Sequence, residues 1–203
     1  PTVAYGSAAV SEPFGDSVSN ALTNSGNGTV TYASDDTDVA TVDGSGNVTI
    51  IGVGSATITA TAATSNEYAT ANDSYTLTVT KASPSISGLS NQSKTTSDSS
   101  FTLAGTPSIS GLSISYASSD TDVATVNSST GAVTIVGEGT ATITASISGT
   151  DNYNAATSTY TLTVTQASSS SSNTQKASDN AVRNATNSIP KNNTKNTPTV
   201  NPT

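Results

Sequence analysis

Tyr32 opens the stretch YASDDTDVATVDGSGNVTIIGVGSATITATA, which runs to Ala62, and Tyr116 opens YASSDTDVATVNSSTGAVTIVGEGTATITAS, which runs to Ser146. The two stretches align at an offset of 84 from Tyr32/Tyr116 to Val42/Val126. One residue is inserted where SSTGA replaces GSGN, and the offset is then 85 from Val48/Val133 through Tyr68/Tyr153, Leu77/Leu162 and Val79/Val164. Self-similarity at a fixed period is one structural unit written twice. Within the first unit Val48-Thr-Ile50, Ala56-Thr-Ile58-Thr-Ala60 and Tyr75-Thr-Leu77-Thr-Val79 alternate apolar with threonine. The second repeats this with Ala141, Ile143 and Ala145, then Tyr160, Leu162 and Val164. A period of two puts the apolar side chains on one face of a strand and the threonines on the other. A sheet that is apolar on one face must bury it against a second sheet. Short strands at regular spacing, with Gly, Asp, Asn and Ser between them, predict a sandwich. Helical periodicity is absent from both copies. The expected fold is all-β: two tandem β-sandwich domains, residues 1–82 and 83–166, then a low-complexity tail, residues 167–203.

Pro1-Thr-Val matches Pro84-Ser-Ile, so the first copy is nearly complete at its start, although the first strands of the two copies otherwise match poorly. The join Thr80-Lys-Ala-Ser-Pro84 is short. Proline there removes a donor and fixes φ, which predicts a stiff step and an extended, rod-like pair. The join recurs as Thr165-Gln-Ala-Ser168, but serines and then Asn, Thr and Lys follow it. That composition cannot bury enough apolar surface to offset its ordering entropy. Within it Ser178 is placed to cap a short helix, 178–189, with Ala181, Val182, Ala185 and Ile189 on one side. At about three turns such a helix is marginal alone. Two readings of the tail stay open: a disordered linker, or a segment that orders against a partner.

Composition narrows the chemistry. Only 10% of the 203 residues are charged and 4% aromatic, against about 25% charged in a typical globular domain. Cys, His, Met and Trp are all absent. No disulfide or thiolate site can form, and most nucleophile–base pairs and zinc sites lose their usual histidine. An all-carboxylate calcium site stays open. Through residue 166, Lys81 and Lys94 face thirteen acidic residues, a balance of 2 − 13 = −11, whereas the tail carries four basic residues and Asp179, 4 − 1 = +3. So acidic a body disfavours nucleic acid, whose binding rests on Lys and Arg neutralising phosphates. No stretch approaches the ~18–20 apolar residues of a membrane span. There is no initiator Met, basic n-region or apolar h-region, so the chain reads as a mature or excised segment.

The string Val39-Ala-Thr-Val42, a glycine-containing turn, Val48-Thr-Ile50, then Gly52-Val-Gly54 and Ala56-Thr-Ile58-Thr-Ala60 closely resembles bacterial immunoglobulin-like domains of group 2, the class found in intimin and invasin. The second copy supplies Val123 to Val126, Val133 to Ile135, Gly137, Gly139 and Ala141 to Ala145. Asp151-Asn-Tyr-Asn-Ala-Ala156 is similar to repeats in secreted multidomain proteins of Bacteroidetes-type bacteria. The resemblance covers residues 1–166 and leaves out the tail. It implies immunoglobulin-like sandwiches and a structural or adhesive module without chemistry of its own. Such domains occur in adhesins, in surface layers, beside catalytic modules of secreted glycosidases and on phage particles. A fold does not transfer a ligand.

Each local pattern that suggests chemistry has a plainer reading. Gly52-Val-Gly54 and Gly137-Glu-Gly139 lack the third glycine and following helix of a dinucleotide fingerprint, and glycine here permits a tight turn. Asp35, Asp36 and Asp38, with Asp43 nearby, form the densest carboxylate cluster. Asp120 and Asp122 echo it in the second copy, where Ser119 interrupts it. These residues suit calcium, but they lack the EF-hand spacing, and aspartates favour turns. Glu12, Glu67 and Glu138 are too scattered to act as paired catalytic carboxylates. Tyr75 and Tyr160 alternate with core positions and are expected to be buried, Tyr68 and Tyr153 to anchor loops, and Tyr5 has no counterpart. Lys–Asn isopeptide cross-links are not expected, since neither Lys81 nor Lys94 reads as mid-strand. No residue is assigned a catalytic, cofactor-binding or metal-ligating role, and no cofactor is expected.

The functional expectation is a non-enzymatic extracellular or cell-surface module, a rod-like spacer of a bacterial surface or secreted protein. Its partner is an unidentified surface, glycan or protein, with no nucleic acid and no membrane span. The charge contrast supports an alternative, a virion decoration protein docked to a capsid or filament through the tail 167–203. A second alternative is an accessory carbohydrate-binding module of a secreted enzyme.

Overall fold

The computed structural model describes residues 2–65 and 68–168. The first copy forms β1 (Val3–Tyr5), β2 (Ala9–Pro13), β3 (Leu22–Asn24), β4 (Val30–Ser34), β5 (Ala40–Val42), β6 (Val48–Ile50), β7 (Gly54–Ala62) and β8 (Ala71–Thr80). The second forms β9 (Ile86–Ser87), β10 (Gln92–Thr95), β11 (Phe101–Thr102), β12 (Thr106–Pro107), β13 (Ser115–Ser118), β14 (Ala124–Val126), β15 (Ala132–Ile135), β16 (Gly139–Ile147) and β17 (Ala156–Thr165). Among the described residues there is no helix, so the fold is all-β as expected. The expected helix at 178–189 and nearly all of the tail 167–203 lie outside the described residues.

Both copies have the same plan. A four-stranded sheet, β2-β8-β7-β4 or β10-β17-β16-β13, packs on a smaller one, β5-β6 or β11-β15-β14. The alternating runs form the centre. β7 pairs with β8 antiparallel from Gly54↔Val79 to Ala62↔Ala71, and β16 with β17 from Gly139↔Val164 to Ile147↔Ala156. In these ladders Ile58 faces Tyr75 and Ile143 faces Tyr160 on the inner side, while Thr57 faces Thr76 and Thr142 faces Thr161 outside. Ile58, Leu77, Ile143 and Leu162 are no more than 1% exposed, each contributing roughly 1.5–3 kcal/mol of burial. The cores are built separately. Val39, Ala40, Ile58, Tyr75 and Leu77 anchor one, and Val123, Val133, Ile143, Tyr160 and Leu162 the other. We propose residues 1–82 and 83–166 as the two domains on that basis; residues 1–166 as a whole form one compact unit.

The poorly matching first strands turn out to be split in the same way in both copies. β1 and β9 pair with β3 and β12, whereas β2 and β10 run parallel to β8 and β17. Alternation could not reveal this. β2 reads AVSEP and β10 reads QSKT, and both lie at a sheet edge. Lys94 corrects an expectation: it lies within β10, with its ammonium 5.0 Å from the centre of the Phe101 ring. That placement is a cation–π contact.

The paired glycines after β6 and β15 are steric necessities. A Cβ on Gly52 or Gly137 would meet the carbonyl oxygen of Asp38 at 2.8 Å or of Asp122 at 2.7 Å. On Gly54 or Gly139, at φ +155° and +140°, it would meet Val39 or Val123 Cγ2 at 2.6 Å. The Val-Ala-Thr-Val and Gly-x-Gly strings are therefore two sides of one packed contact. Tyr5 is explained by packing as well. Its ring meets Tyr75 edge-on at 4.7 Å, and its N–H donates to Asp73 Oδ2 at 2.7 Å. Burial, with Tyr75, Tyr32 and Asp73 adding to it, pushes the Tyr5 phenol up to about 12.

Gly139→Ala is expected to lower stability by about 3 kcal/mol, through overpacking and backbone strain. Gly44→Ala, with open space where its Cβ would stand, is expected to leave stability unchanged. Urea midpoints distinguish the two, and equal midpoints would contradict the packed-turn account. The raised Tyr5 phenol sets an alkaline limit. The neutral form is favoured by the fold, so its contribution is complete below the unfolded value of about 10. It is lost as pH climbs toward the folded value of about 12. Tyr5→Phe is expected to flatten the decline in urea midpoint across that window.

Candidate functional site

The strongest constellation outside the cores is the joint between the copies. β8 ends at Thr80, and Lys81-Ala82-Ser83 crosses to the second copy against the loop that precedes β17. The Ala82 N–H donates to the Asn152 carbonyl at 3.0 Å, and the Asn154 N–H donates to the Ala82 carbonyl at 2.9 Å. These bonds make one parallel rung, Ala82 with Tyr153, and Ala82 is 6% exposed. Side chains reinforce it. Lys81 Nζ donates to the Thr150 carbonyl at 2.7 Å, and Asn154 Nδ2 donates to Ser83 Oγ at 3.0 Å. Asn152 Oδ1 accepts the Val53 N–H at 3.3 Å, and Phe14 meets Tyr153 edge-on at 5.5 Å.

Both sides are prepared locally. Thr150 Oγ1 accepts the N–H groups of Asn152 and Tyr153 at 3.3 and 3.2 Å, and the Thr150 N–H donates to the Tyr153 carbonyl at 2.9 Å. Phe14 and Val53 pack against the first core, so the contact continues that core. An open depression of about 580 Å³ lies here, bounded by Phe14, Asp16, Lys81, Ile109 and Tyr153 among others. Asp16 and Lys81 are its charged side chains, and Lys81 Nζ is the group that donates to the Thr150 carbonyl.

The other candidates resolve into local structure. Asp35 Oδ1 accepts the Thr57 N–H at 2.6 Å, and Ser119 Oγ accepts the Thr142 N–H at 2.8 Å in the equivalent place. Asp36 and Asp120 close matching turns on the Asp38 and Asp122 N–H groups at 3.0 and 2.9 Å. Asp43 accepts from Ser45 and Asn47. The bond from Thr57 holds Asp35 below the usual carboxylate range, and those from Asn47 and Ser45 do the same for Asp43. Among the described residues no three acidic side chains gather where they could share an ion. Tyr75 and Tyr160 are buried, with Tyr160 3% or less exposed like Tyr75. Tyr153 anchors the joint, whereas its counterpart Tyr68 is 39% exposed. The sequence reading passed over Phe14, Val53 and Asn152, because contacts across a joint leave no periodicity; the Asp151-Asn-Tyr-Asn string was their visible trace. Among the described residues no helix is long and apolar enough to cross a membrane.

Two segments, residues 19–64 and 108–150, match the family model of the intimin immunoglobulin-like domain. No curated protein sequence matches the chain. Among solved structures, the immunoglobulin domains 1–5 of Sidekick-1 are 15% identical at a TM-score of 0.45, over 82% of this chain and 40% of that one. Drosophila N-cadherin EC1-4 is 14% identical at 0.36, over 82% of this chain and 50% of that one. Domains 1–6 of the surface layer protein SbsC are 19% identical at 0.35, over 72% and 22%. The chain thus spans half or less of each of these three. The matched segments lie one in each copy and take in β3 to β7 of the first and β13 to β16 of the second, so both sandwiches are similar to the intimin immunoglobulin-like domain, as is consistent with a bacterial immunoglobulin-like pair.

Proposed function

We propose that the chain is a non-enzymatic extracellular spacer of a bacterial surface or secreted protein, holding what it carries at a set distance and orientation. The observation that supports this best is the joint. Two backbone hydrogen bonds contribute roughly 0.5–1.5 kcal/mol each, and an aromatic pair a similar amount. Their sum, about 3 kcal/mol, is well below the 5–15 kcal/mol of a typical domain. A joint of that strength is closed in all but about one molecule in a hundred, yet it yields before either sandwich unfolds. An acidic, cysteine-free surface with few Lys and Arg suits exposure outside the cell, where trypsin-like proteases find few sites.

Small-angle scattering of the full chain tests the reading. Ala82→Pro removes the N–H that Asn152 accepts, and Tyr153→Ala removes the ring that meets Phe14. The double variant is expected to keep its β circular dichroism while its distance distribution broadens. A wild-type chain already as broad as the variant would count against a spacer.

A further inference from the structure

The smaller sheet has three strands in the second copy and two in the first. In the second, β11 lies along the outer side of β15, with Phe101 opposite Val133 and Thr102 opposite Ala132. Val133 is fully buried there, and Phe101 and Leu103 pack against the core. In the first copy β6 pairs with β5 alone. Val48 stands where Val133 stands, yet it is only half-buried.

The cause is the connection that leads to β3. The Asp16 N–H donates to the Pro13 carbonyl and the Asp98 N–H to the Thr95 carbonyl, both at 3.1 Å, so the two connections start alike. They also end alike, on bonds from Ser25 to Thr2 and from Ser108 to Ser85. Between those points the first copy is one residue shorter. Its Asn20 and Ala21 are bonded to Ser7 and Gly6. Ser17, Val18 and Ser19 make no hydrogen bond among the described residues, and Val18 is held by packing against the core.

This leaves β6 with an open edge. The Ile51 N–H donates to the Val39 carbonyl at 2.9 Å and the Asp43 N–H to the Asn47 carbonyl at 3.0 Å. By the alternation of an antiparallel ladder, Val48 and Ile50 then direct their N–H and carbonyl groups away from β5. Among the described residues those groups have no hydrogen-bond partner. An unpaired edge is a template for another strand.

The charge beside the edge selects that strand. In the second copy Lys94, at the register position opposite Val164, lies over Phe101. The same position in the first copy, opposite Val79, holds Glu12. Glu12 is half-buried and has no hydrogen bond or ion pair among the described residues. Val10, on the same side of β2, packs against the first core.

We propose that the outer edge of β6 is a strand-acceptor site for an extended, basic segment of a partner protein. The segment runs antiparallel to β6, as β11 does to β15. It places a bulky apolar side chain opposite Val48 and brings Lys or Arg to Glu12. Seating it displaces Val18, which no backbone bond retains. Glu12 repels acidic strands, so the same carboxylate attracts one class of partner and rejects another. The site belongs to the first sandwich alone and is independent of the spacer reading.

The test uses the full chain and a labelled peptide, GKSSFTLKG, which carries the Ser99–Leu103 sequence between two lysines. In the chain alone, the Val48 and Ile50 N–H groups are expected to exchange with solvent as an open loop does, and that of Val133 slowly. Saturating peptide is expected to slow Val48 and Ile50 by about tenfold. Fluorescence anisotropy is expected to show binding about tenfold weaker once both peptide lysines are glutamate, with Glu12→Lys reversing that preference. Val48→Pro removes an N–H that β5 does not use and is expected to abolish binding while β circular dichroism is retained. If that variant unfolds, the Glu12→Lys charge swap still decides. Slow exchange at Val48 and Ile50 without peptide, no added protection with it, or binding indifferent to the swap would each overturn the site. Binding that appears only when residues 169–203 are removed would make the chain's own tail the occupant and overturn the partner assignment.

Discussion

Everything in this molecule depends on one antiparallel ladder, made twice: β7 on β8 and β16 on β17. It is the longest run of paired backbone in each copy, and it carries Ile58, Tyr75 and Leu77, or Ile143, Tyr160 and Leu162, to the inner face. A chain with so few aromatic residues has little else to bury. Threonine on the outer face keeps the strands extended without adding charge. The smaller sheets, the glycine turns and the aspartate turns all hold material against this ladder. Val39 and Val123 close over Gly54 and Gly139, while Asp35 and Ser119 take the N–H groups of Thr57 and Thr142 beside the ladder.

The joint is an extension of the same construction. β8 leaves the first sheet at Thr80, and two residues later its backbone makes a rung with the second copy at Tyr153. The linkage is therefore partly secondary structure rather than a tether, and its short length leaves little slack. Two backbone hydrogen bonds and one ring pair, at general magnitudes about 3 kcal/mol together, would place it between a surface contact and a domain core. On the spacer reading proposed above, that order of strengths would let bending strain open the joint while the cores stay folded.

Much of the fold was legible in the amino-acid sequence because alternation over nine or ten residues and an internal repeat broken by a single inserted residue are long-range signals. Edge strands were not legible. β2 and β10 join the sheet through backbone pairing at its rim, so AVSEP and QSKT have no common side-chain pattern. Lys94 was misplaced for the same reason. Tyr5 was unexplained in one dimension because its partners, Tyr75 and Asp73, stand about seventy residues away. The joint was half visible. Its shortness and Pro84 were plain, but the receiving loop lies some seventy residues downstream, and only its unusual Asn-Tyr-Asn composition marked it. The carboxylate cluster shows the opposite lesson: density in sequence did not become convergence in space, since Asp35, Asp36 and Asp43 each accept different N–H groups.

Amide hydrogen exchange at Ala82 and Asn154, in the intact chain, tests the central claim most directly. Those two N–H groups close the rung between the copies. Both are predicted to exchange about a hundredfold more slowly than an open loop, in keeping with a contact of roughly 3 kcal/mol, and to slow together. Exchange at the rate of an unstructured peptide, while Leu77 and Leu162 stay protected, would contradict the account: the sandwiches would be folded, and nothing would hold one to the other.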